Sequence, residues 1–375
     1  MINGKYNFTG TGLYVHVPFC ASKCSYCGFY SVSANDELIG QYLDKLEKEA
    51  NQRVAEVSGC VHTVFIGGGN PLTLGLSGIQ RLARIIMQIV NADEIKEWTF
   101  EANPESLTEE IASFLADLPG IRLSMGVQRL KDSELRILGR RATMDNVYNA
   151  MELAGKRIEN LGIDLILGVP DCPSIARDLA IFLDRFRVNH LSSYFLSIES
   201  NSELEKSIAA GEFSDPDECG PEELFEVSSL LQSRNFEHYE ISNFALEGFR
   251  CLHNMNYWKP GNYLGLGPSA VSTQGDLRKY NVPDLKRWLN DEQPVYEQLS
   301  PVDRRNEYLM LRMRLLKDGV NVSSLERRFG PQSESFYMEL QWHIEQGNIE
   351  KAGDVVRLTR KGIAFSDTII SALFI

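Results

Sequence analysis

No run of apolar residues in this chain approaches the ~20 that a membrane-spanning helix needs. The apolar end Ile369 to Ile375 is far too short for one and is expected to dock as the last turn of a helix. The first dozen residues, MINGKYNFTGTG, have neither a basic nor an apolar region, so no signal peptide is expected and a cytoplasmic location is the default. Positive charge is also in short supply. A formal net charge of -13 argues against non-specific binding to nucleic acid or anionic membrane. Internal repeats and low-complexity tracts are missing. Seven cysteines are an odd number, and three crowd too closely for a disulfide framework, which reads as metal ligation in a reducing compartment.

Those three cysteines are the most informative feature. Cys20, Cys24 and Cys27, spaced C-x3-C-x2-C, place three thiolates on one tight loop and supply no fourth. A closed structural site normally takes four ligands, whereas three soft sulfurs suit an iron–sulfur cluster with one iron open to another molecule. The alternative is a zinc knuckle that borrows His16 as its fourth ligand, for which His16 would have to fold back from its strand. Cys60 and Cys219 read as plain thiols. Cys172 and Cys251 draw notice only for their proximity to candidate sites.

Around this loop the chain alternates short apolar runs with amphipathic stretches, the mark of repeated βα units. Strands are expected at Leu13–Val17, Thr63–Ile66, Trp98–Glu101, Arg122–Val127, Leu161–Leu167 and Leu191–Leu196. Helices are expected between them, the first with Asp36 as its N-cap. Six strands in one order imply a curved or partly closed parallel sheet, a partial TIM-type (β/α)6 barrel, whose ligands gather at the C-terminal strand ends. Special residues do follow five successive strands: the cysteine loop, Gly67–Pro71, Glu101–Pro104, Gly126–Gln128 and Gly168–Pro170.

The division expected is 1–200 for this barrel, 201–300 for an insertion and mixed segment that is loop-rich from Tyr239 to Ser269, and 301–375 for a second compact unit. In that last unit, helices at Arg304–Leu316, Ser323–Phe329 and Ser335–Gln346 precede β segments at Ile349–Lys351 and Val355–Leu358. Three helices and a β-hairpin resemble a winged-helix module.

Leu13 to Cys20, the cysteine triplet and Gly67–Gly69 together resemble the radical S-adenosylmethionine (SAM) superfamily. More narrowly, the chain is similar to the branch that holds oxygen-independent coproporphyrinogen III dehydrogenase and the HemW-type heme chaperones. The resemblance runs from about Tyr14 to the C-terminus. It implies a 4Fe-4S cluster on Cys20, Cys24 and Cys27, with SAM chelating the open iron, where one-electron reduction can cleave SAM to a 5′-deoxyadenosyl radical. Carried over residue by residue, Tyr26 lies beside the adenine and Gly68, Gly69 and Asn70 meet the methionine amino end. Glu101, Gln128 and Arg140 contact SAM, Asp164 faces the nucleoside, and Tyr14 opens the first strand. Three departures bear on the SAM pocket: Asn70 for a usual threonine, Arg129 for a common serine and Ala142 for a frequent histidine.

Within that branch, dehydrogenases usually carry a further cysteine two residues after the triplet and a longer N-terminal extension. Here that position is Phe29, and the first strand starts near residue 13. His253-Asn-Met-Asn-Tyr-Trp258 matches the heme-binding motif of the chaperones, which implies heme at His253, with His190 and His238 as other imidazoles. The expected function is thus heme binding and delivery to acceptor hemoproteins, respiratory ones among the candidates, with an electron donor for the cluster. The rivals are oxidative decarboxylation of coproporphyrinogen III and a heme-degrading methyltransferase reaction.

Overall fold

The structure, a computed structural model, describes residues 11–56, 61–200, 202–214 and 220–374. At its centre six parallel strands lie side by side in chain order: β1 (Thr11–Val17), β2 (Val61–Gly68), β3 (Glu97–Ala102), β4 (Ile121–Gln128), β5 (Asn160–Leu167) and β6 (His190–Phe195). All six expected strands are therefore present, the first five lengthened and the last shifted by one residue. Alternation sorts their side chains onto two faces. Leu13, Val15, Val64, Ile66, Trp98, Phe100, Leu123, Met125 and Leu161 are buried in one core with Tyr42, Leu46, Ile79 and Leu82 of the helices Asp36–Arg53 and Gly75–Met87. Each such Leu, Ile or Val contributes about 1.5–3 kcal/mol by leaving water. The intervening residues form the opposite, concave face, and they are mostly polar: Tyr14, His16, Thr63, Glu97, Thr99, Glu101, Arg122, Ser124, Asp164, His190 and Ser192. A polar concave wall is the first sign that this face holds a ligand rather than a packed core.

The first helix is capped by Asn35, whose Oδ1 accepts from the Leu38 N–H at 2.8 Å. Asp36 is its first helical residue and favours the positive helix end by charge instead.

The sheet does not stop at six strands. Tyr263–Leu266 pairs parallel with β1, and Val271–Gln274, Leu277–Tyr280 and Val295–Gln298 follow antiparallel. Beyond β6 come Asn243–Ala245 and Glu237–Glu240, also antiparallel, which makes twelve strands in all. The stretch expected to be loop-rich from Tyr239 to Ser269 thus holds strands and the helix Leu252–Trp258. These strands are three or four residues long, too short for a period of two to register in sequence. The helix Leu252–Trp258 enters the concave side: His253 reaches Thr63 of β2, and Glu97 of β3 accepts from the Leu252 and His253 N–H groups at 2.8 and 3.0 Å.

The C-terminal unit has a core of its own, built on Leu309, Met313, Leu325, Phe336, Leu340 and Val356. Helices Pro301–Met313, Val322–Phe329 and Glu334–Glu345 pack with a three-stranded sheet in the order Val320–Asn321, Val355–Leu358, Ile349–Ala352. The helix Ser366–Ala372 closes it, burying Ile369 and Ile370. Main-chain bonds stitch the unit to the sheet, Ile241 N–H to the Arg314 carbonyl and Leu316 N–H to the Tyr239 carbonyl, each 3.2 Å. Beside them the buried Glu240 carboxylate accepts from Arg314 at 3.0 Å. Among the described residues no helix is long and apolar enough to cross a membrane.

Candidate functional site

The C-terminal strand ends surround a cavity of about 460 Å³, within the ~300–1,000 Å³ usual for small-molecule sites. Cys20, Cys24 and Cys27 stand at its lip as free thiols. Cys20 belongs to a short parallel pair, Phe19–Cys20 with Val32–Ser33, that extends β1 beyond the sheet. The remainder of the loop is held from the side, where Ser25 donates its N–H to the Leu138 carbonyl (3.2 Å) and its Oγ to the Ile137 carbonyl (3.0 Å). Gly139 makes that approach possible. Its φ of +63° is the left-handed region, and a Cβ there would lie 2.8 Å from the Ser25 nitrogen.

Arg140 is thereby delivered to the cysteine loop. Its Nη1 donates to Cys24 Sγ at 3.6 Å, and Nη2 to Asn103 Oδ1 and the Gly126 carbonyl at 3.0 Å. Burial pushes the Cys20 and Cys27 thiols above the ordinary range. Metal binding at these positions must therefore expel protons. Among the described residues no three Cys, His, Asp or Glu side chains close on a single metal ion. The three thiols nonetheless share one cavity, and their soft donor set fits a multi-iron cluster. His16, the other partner considered for a zinc site, is buried and engaged, with Tyr14 Oη at Nδ1 (3.0 Å) and the Tyr30 carbonyl at Nε2 (3.2 Å).

Deeper in the cavity, Glu101 and Asp164 face one another across the concave wall. Glu101 accepts from the Gly68 N–H at 3.2 Å, and Ser124 Oγ reaches both Asp164 oxygens at 3.2 Å. Burial, then the charge of Asp164, lifts the Glu101 carboxyl to about 7. Burial likewise raises Asp164. Two partly desolvated carboxylates are a receptor for cationic or hydroxyl-bearing ligand groups. Gly68 has φ +108°, and a Cβ there would strike the His16 ring at 2.6 Å, so only glycine fits. Gln128 sits at a register shift between β4 and β5 with φ +66°, a strained conformation for a residue with a side chain. The bulge turns it toward the cavity.

Of the residues singled out from sequence, Cys20, Cys24, Cys27, Tyr26, Gly68, Gly69, Glu101, Gln128, Arg140 and Asp164 all line this cavity. The other three lie outside its lining. Tyr14 points below it, its hydroxyl on His16. Asn70 is buried as a clasp between strand-end loops, accepting from Leu72 N–H at 3.2 Å and donating to Ser106 Oγ at 2.8 Å. His253 is fully buried, with the Thr63 hydroxyl at Nδ1 (2.9 Å) and the Tyr257 hydroxyl at Nε2 (2.8 Å), and its ring packs on Phe65, 5.2 Å between centroids. Burial depresses it to about 3, so it is neutral. Phe65 lies between His253 and the cavity, while Asn254 lines the cavity itself.

Arg122, Ser124, Ser192, Tyr194 and Phe195 also line the site, and sequence reasoning missed them. The signal was available for four of them: Arg122 and Ser124 on β4 and Ser192 and Tyr194 on β6 hold alternate positions that point away from the apolar core, while Phe195 is the last residue of β6. Arg129, the departure after Gln128, is wholly buried and binds Glu134 at 2.7 Å and Glu223 at 2.8 Å, so it is a structural hub behind the site. Cys172 packs with Tyr26 and Leu138 behind the cavity wall, and Cys251 is buried beside Glu97. Cys60 and Cys219 lie outside the described residues.

The radical SAM superfamily model matches residues 14–176, and the HemN C-terminal domain model residues 299–365. The solved coproporphyrinogen III oxidase HemN of Escherichia coli superposes with a TM-score of 0.83 at 21% identity, covering 98% of this chain and 90% of that one, a likeness of fold. The curated heme chaperone HemW of Bacillus subtilis (strain 168) is 28% identical over 96% of this chain and 98% of its own length. That of Lactococcus lactis subsp. lactis (strain IL1403) is 30% identical over 365 residues, 95% of each chain. With similarity on that scale and both domains in order on one frame, the chain belongs to the HemW family of the radical SAM superfamily.

Proposed function

We propose that this protein is a cytoplasmic heme chaperone that binds heme and passes it to acceptor hemoproteins, respiratory ones among them. It would carry a 4Fe-4S cluster on Cys20, Cys24 and Cys27, with SAM in the adjoining cavity and an external electron donor. The observation that carries this reading is the near full-length likeness to proteins named heme chaperone HemW, joined to Phe29 at the position where dehydrogenases of the branch carry a cysteine. Phe29 is 70% exposed at the cavity mouth, beside Tyr194 and Phe195, and an apolar rim suits a large flat ligand better than a further thiolate would.

When bound, the cluster supplies an electron-transfer centre with one iron open to SAM. The chain's own groups set its surroundings. Arg140 places positive charge against Cys24 and so offsets the charge of the thiolates. Glu101 and Asp164 receive the polar groups of SAM, and Gly68 and Gly69 let the backbone approach it.

The test uses anaerobically reconstituted protein with heme and an apo-hemoprotein. Heme leaving this chain and appearing in the acceptor, followed by absorption, is the expected result. Sustained conversion of coproporphyrinogen III in the presence of SAM and reductant would overturn the reading in favour of the enzyme. A Cys24→Ala protein is expected to lose iron and labile sulfide together.

A further inference from the structure

The third helix of the C-terminal unit, Glu334–Glu345, is apolar on two sides. One side buries Phe336, Leu340 and His343 against the core of that unit. The other faces solvent, with Met338 67% exposed, Trp342 51% exposed one turn further on, and Tyr337 beside them. Single exposed apolar residues need no explanation. Three together on one helix, lining an open groove of about 420 Å³, form a patch of the kind that meets a partner.

Carboxylates stand at both ends of this groove. Glu334 precedes Met338 by four positions and Glu345 follows Trp342 by three, which sets the two acids roughly 16 Å apart along the axis. Neither makes an ion pair among the described residues; Glu345 accepts from Gln341 Nε2 at 2.9 Å, and Lys361 turns to the Gln346 carbonyl at 2.8 Å instead. Between Arg328 and Lys351 the sequence has four glutamates and no lysine or arginine.

That charge decides the occupant. In a unit of three helices and a hairpin, the third helix holds the place from which a nucleic-acid reader enters the groove of DNA. Phosphates and anionic lipid headgroups both call for cations, which this helix lacks. A second copy docked through the same face would set these carboxylates against one another. A cationic protein segment meets no such penalty.

We propose that this face docks a basic amphipathic helix of a partner protein. The apolar side chains of that helix pack on Met338 and Trp342, and lysines or arginines about eleven residues apart meet Glu334 and Glu345. Trp342 is the rigid anchor of the contact, and the Met338 thioether adapts to the shape laid against it. The contact uses neither the cysteine loop nor the cavity beside it, so its failure leaves the heme-transfer reading untouched.

The experiment uses the full, cluster-loaded chain and two dye-labelled amphipathic helical peptides that share one leucine pattern. One peptide carries lysine on its polar face and the other glutamate, and binding is followed by anisotropy. The lysine peptide is expected to bind with a Kd below about 100 µM, and the glutamate peptide at least about tenfold more weakly. Trp342→Ala and Met338→Ala should each weaken the lysine peptide about tenfold. Both side chains are exposed, so the variants should match the wild type in circular dichroism and thermal midpoint. Glu334→Lys combined with Glu345→Lys should reverse the preference toward the glutamate peptide. Asp93→Lys with Asp117→Lys, the same change of charge at exposed positions of the barrel, should leave the preference as it was. The proposal is overturned if the two peptides bind alike, if Trp342→Ala binds like the wild type, or if the barrel pair of substitutions acts as strongly as the helix pair. Binding to phosphatidylglycerol vesicles, or dimerisation in sedimentation, that is lost in Trp342→Ala would overturn it too, in favour of a membrane or a second copy.

Discussion

Replacing Glu101 by glutamine should make the ligand-free protein more stable at alkaline pH and, on the proposed function, weaken SAM binding. The carboxyl titrates near 7 in the folded chain because burial, and then Asp164, oppose its charge. The Gly68 N–H and Arg122 pull the other way without prevailing. An acid whose folded pKa exceeds its unfolded one binds protons more tightly when folded. Stability therefore falls as pH rises from about 4.5 to about 7 and is level above that. The rise from 4.5 to about 7, 2.5 pH units at 1.36 kcal/mol each, sets an upper bound of ~3.4 kcal/mol. Glu101 lines a cavity open to solvent, and solvent screening brings the expected penalty to about 2 kcal/mol.

Glutamine has nearly the same shape and keeps an oxygen for the Gly68 N–H, so Glu101→Gln removes the charge and little else. Urea unfolding of cluster-free protein, followed by the buried Trp98 on the same strand, should show the variant ahead by about 2 kcal/mol at pH 8. The gap should close as pH falls toward 5. SAM affinity of the reconstituted variant should meanwhile fall tenfold or more, the usual exchange of stability for function at a charged site. A stability difference that ignores pH, or a wild type more stable than the variant at pH 8, would refute the reasoning.

Arg129→Met should destabilise the chain by about 3–5 kcal/mol in denaturant, because it strands Glu134 and Glu223 without their shared cation. Gln128→Gly should relieve left-handed strain worth about 1 kcal/mol and raise the urea midpoint, yet weaken SAM binding by removing a side chain from the cavity. His253→Ala should cost about 3 kcal/mol by unpairing Thr63 and Tyr257 and leaving a void, read as a lower thermal midpoint.

The six central strands were legible because their outward faces carry Leu, Val, Ile and Trp at every second position, as in Leu13, Val15 and Val17. The cysteine loop stood out from spacing alone, and the fold sets all three thiols on one cavity. The outer strands were not. Val295–Gln298 is exposed along its whole length, so no apolar alternation marks it, and Asn243–Ala245 is three residues long. Arg129 looked like a lapse in a motif because only one partner, Glu134, is near it in sequence, and the other, Glu223, lies 94 positions away. Motif matching placed His253 at a ligand, but only the fold reveals that both its ring nitrogens are already taken.

The Leu252–Trp258 helix explains how one partial barrel comes to have two cavities. A six-stranded sheet leaves its concave face open, and here that face is lined by carboxylates, hydroxyls and one arginine that a dry core would not tolerate. The helix fills the lower part and satisfies them in turn: Glu97 takes its first N–H groups, and Thr63 meets His253. To one side, Arg122 donates to His190 at 2.9 Å and His190 meets Tyr239 at 2.8 Å. Above this plug remains the cleft of the cysteines and carboxylates, and beyond it a second cavity lined by Tyr257 and Trp258. Because Glu240 and Arg314 tie the same region to the C-terminal unit, that unit is braced against the plug rather than hung from a linker. The motif containing His253 thus owes its place in this chain to packing first: its histidine locks the plug, its asparagine reaches the upper cleft, and its tyrosine and tryptophan wall the lower one.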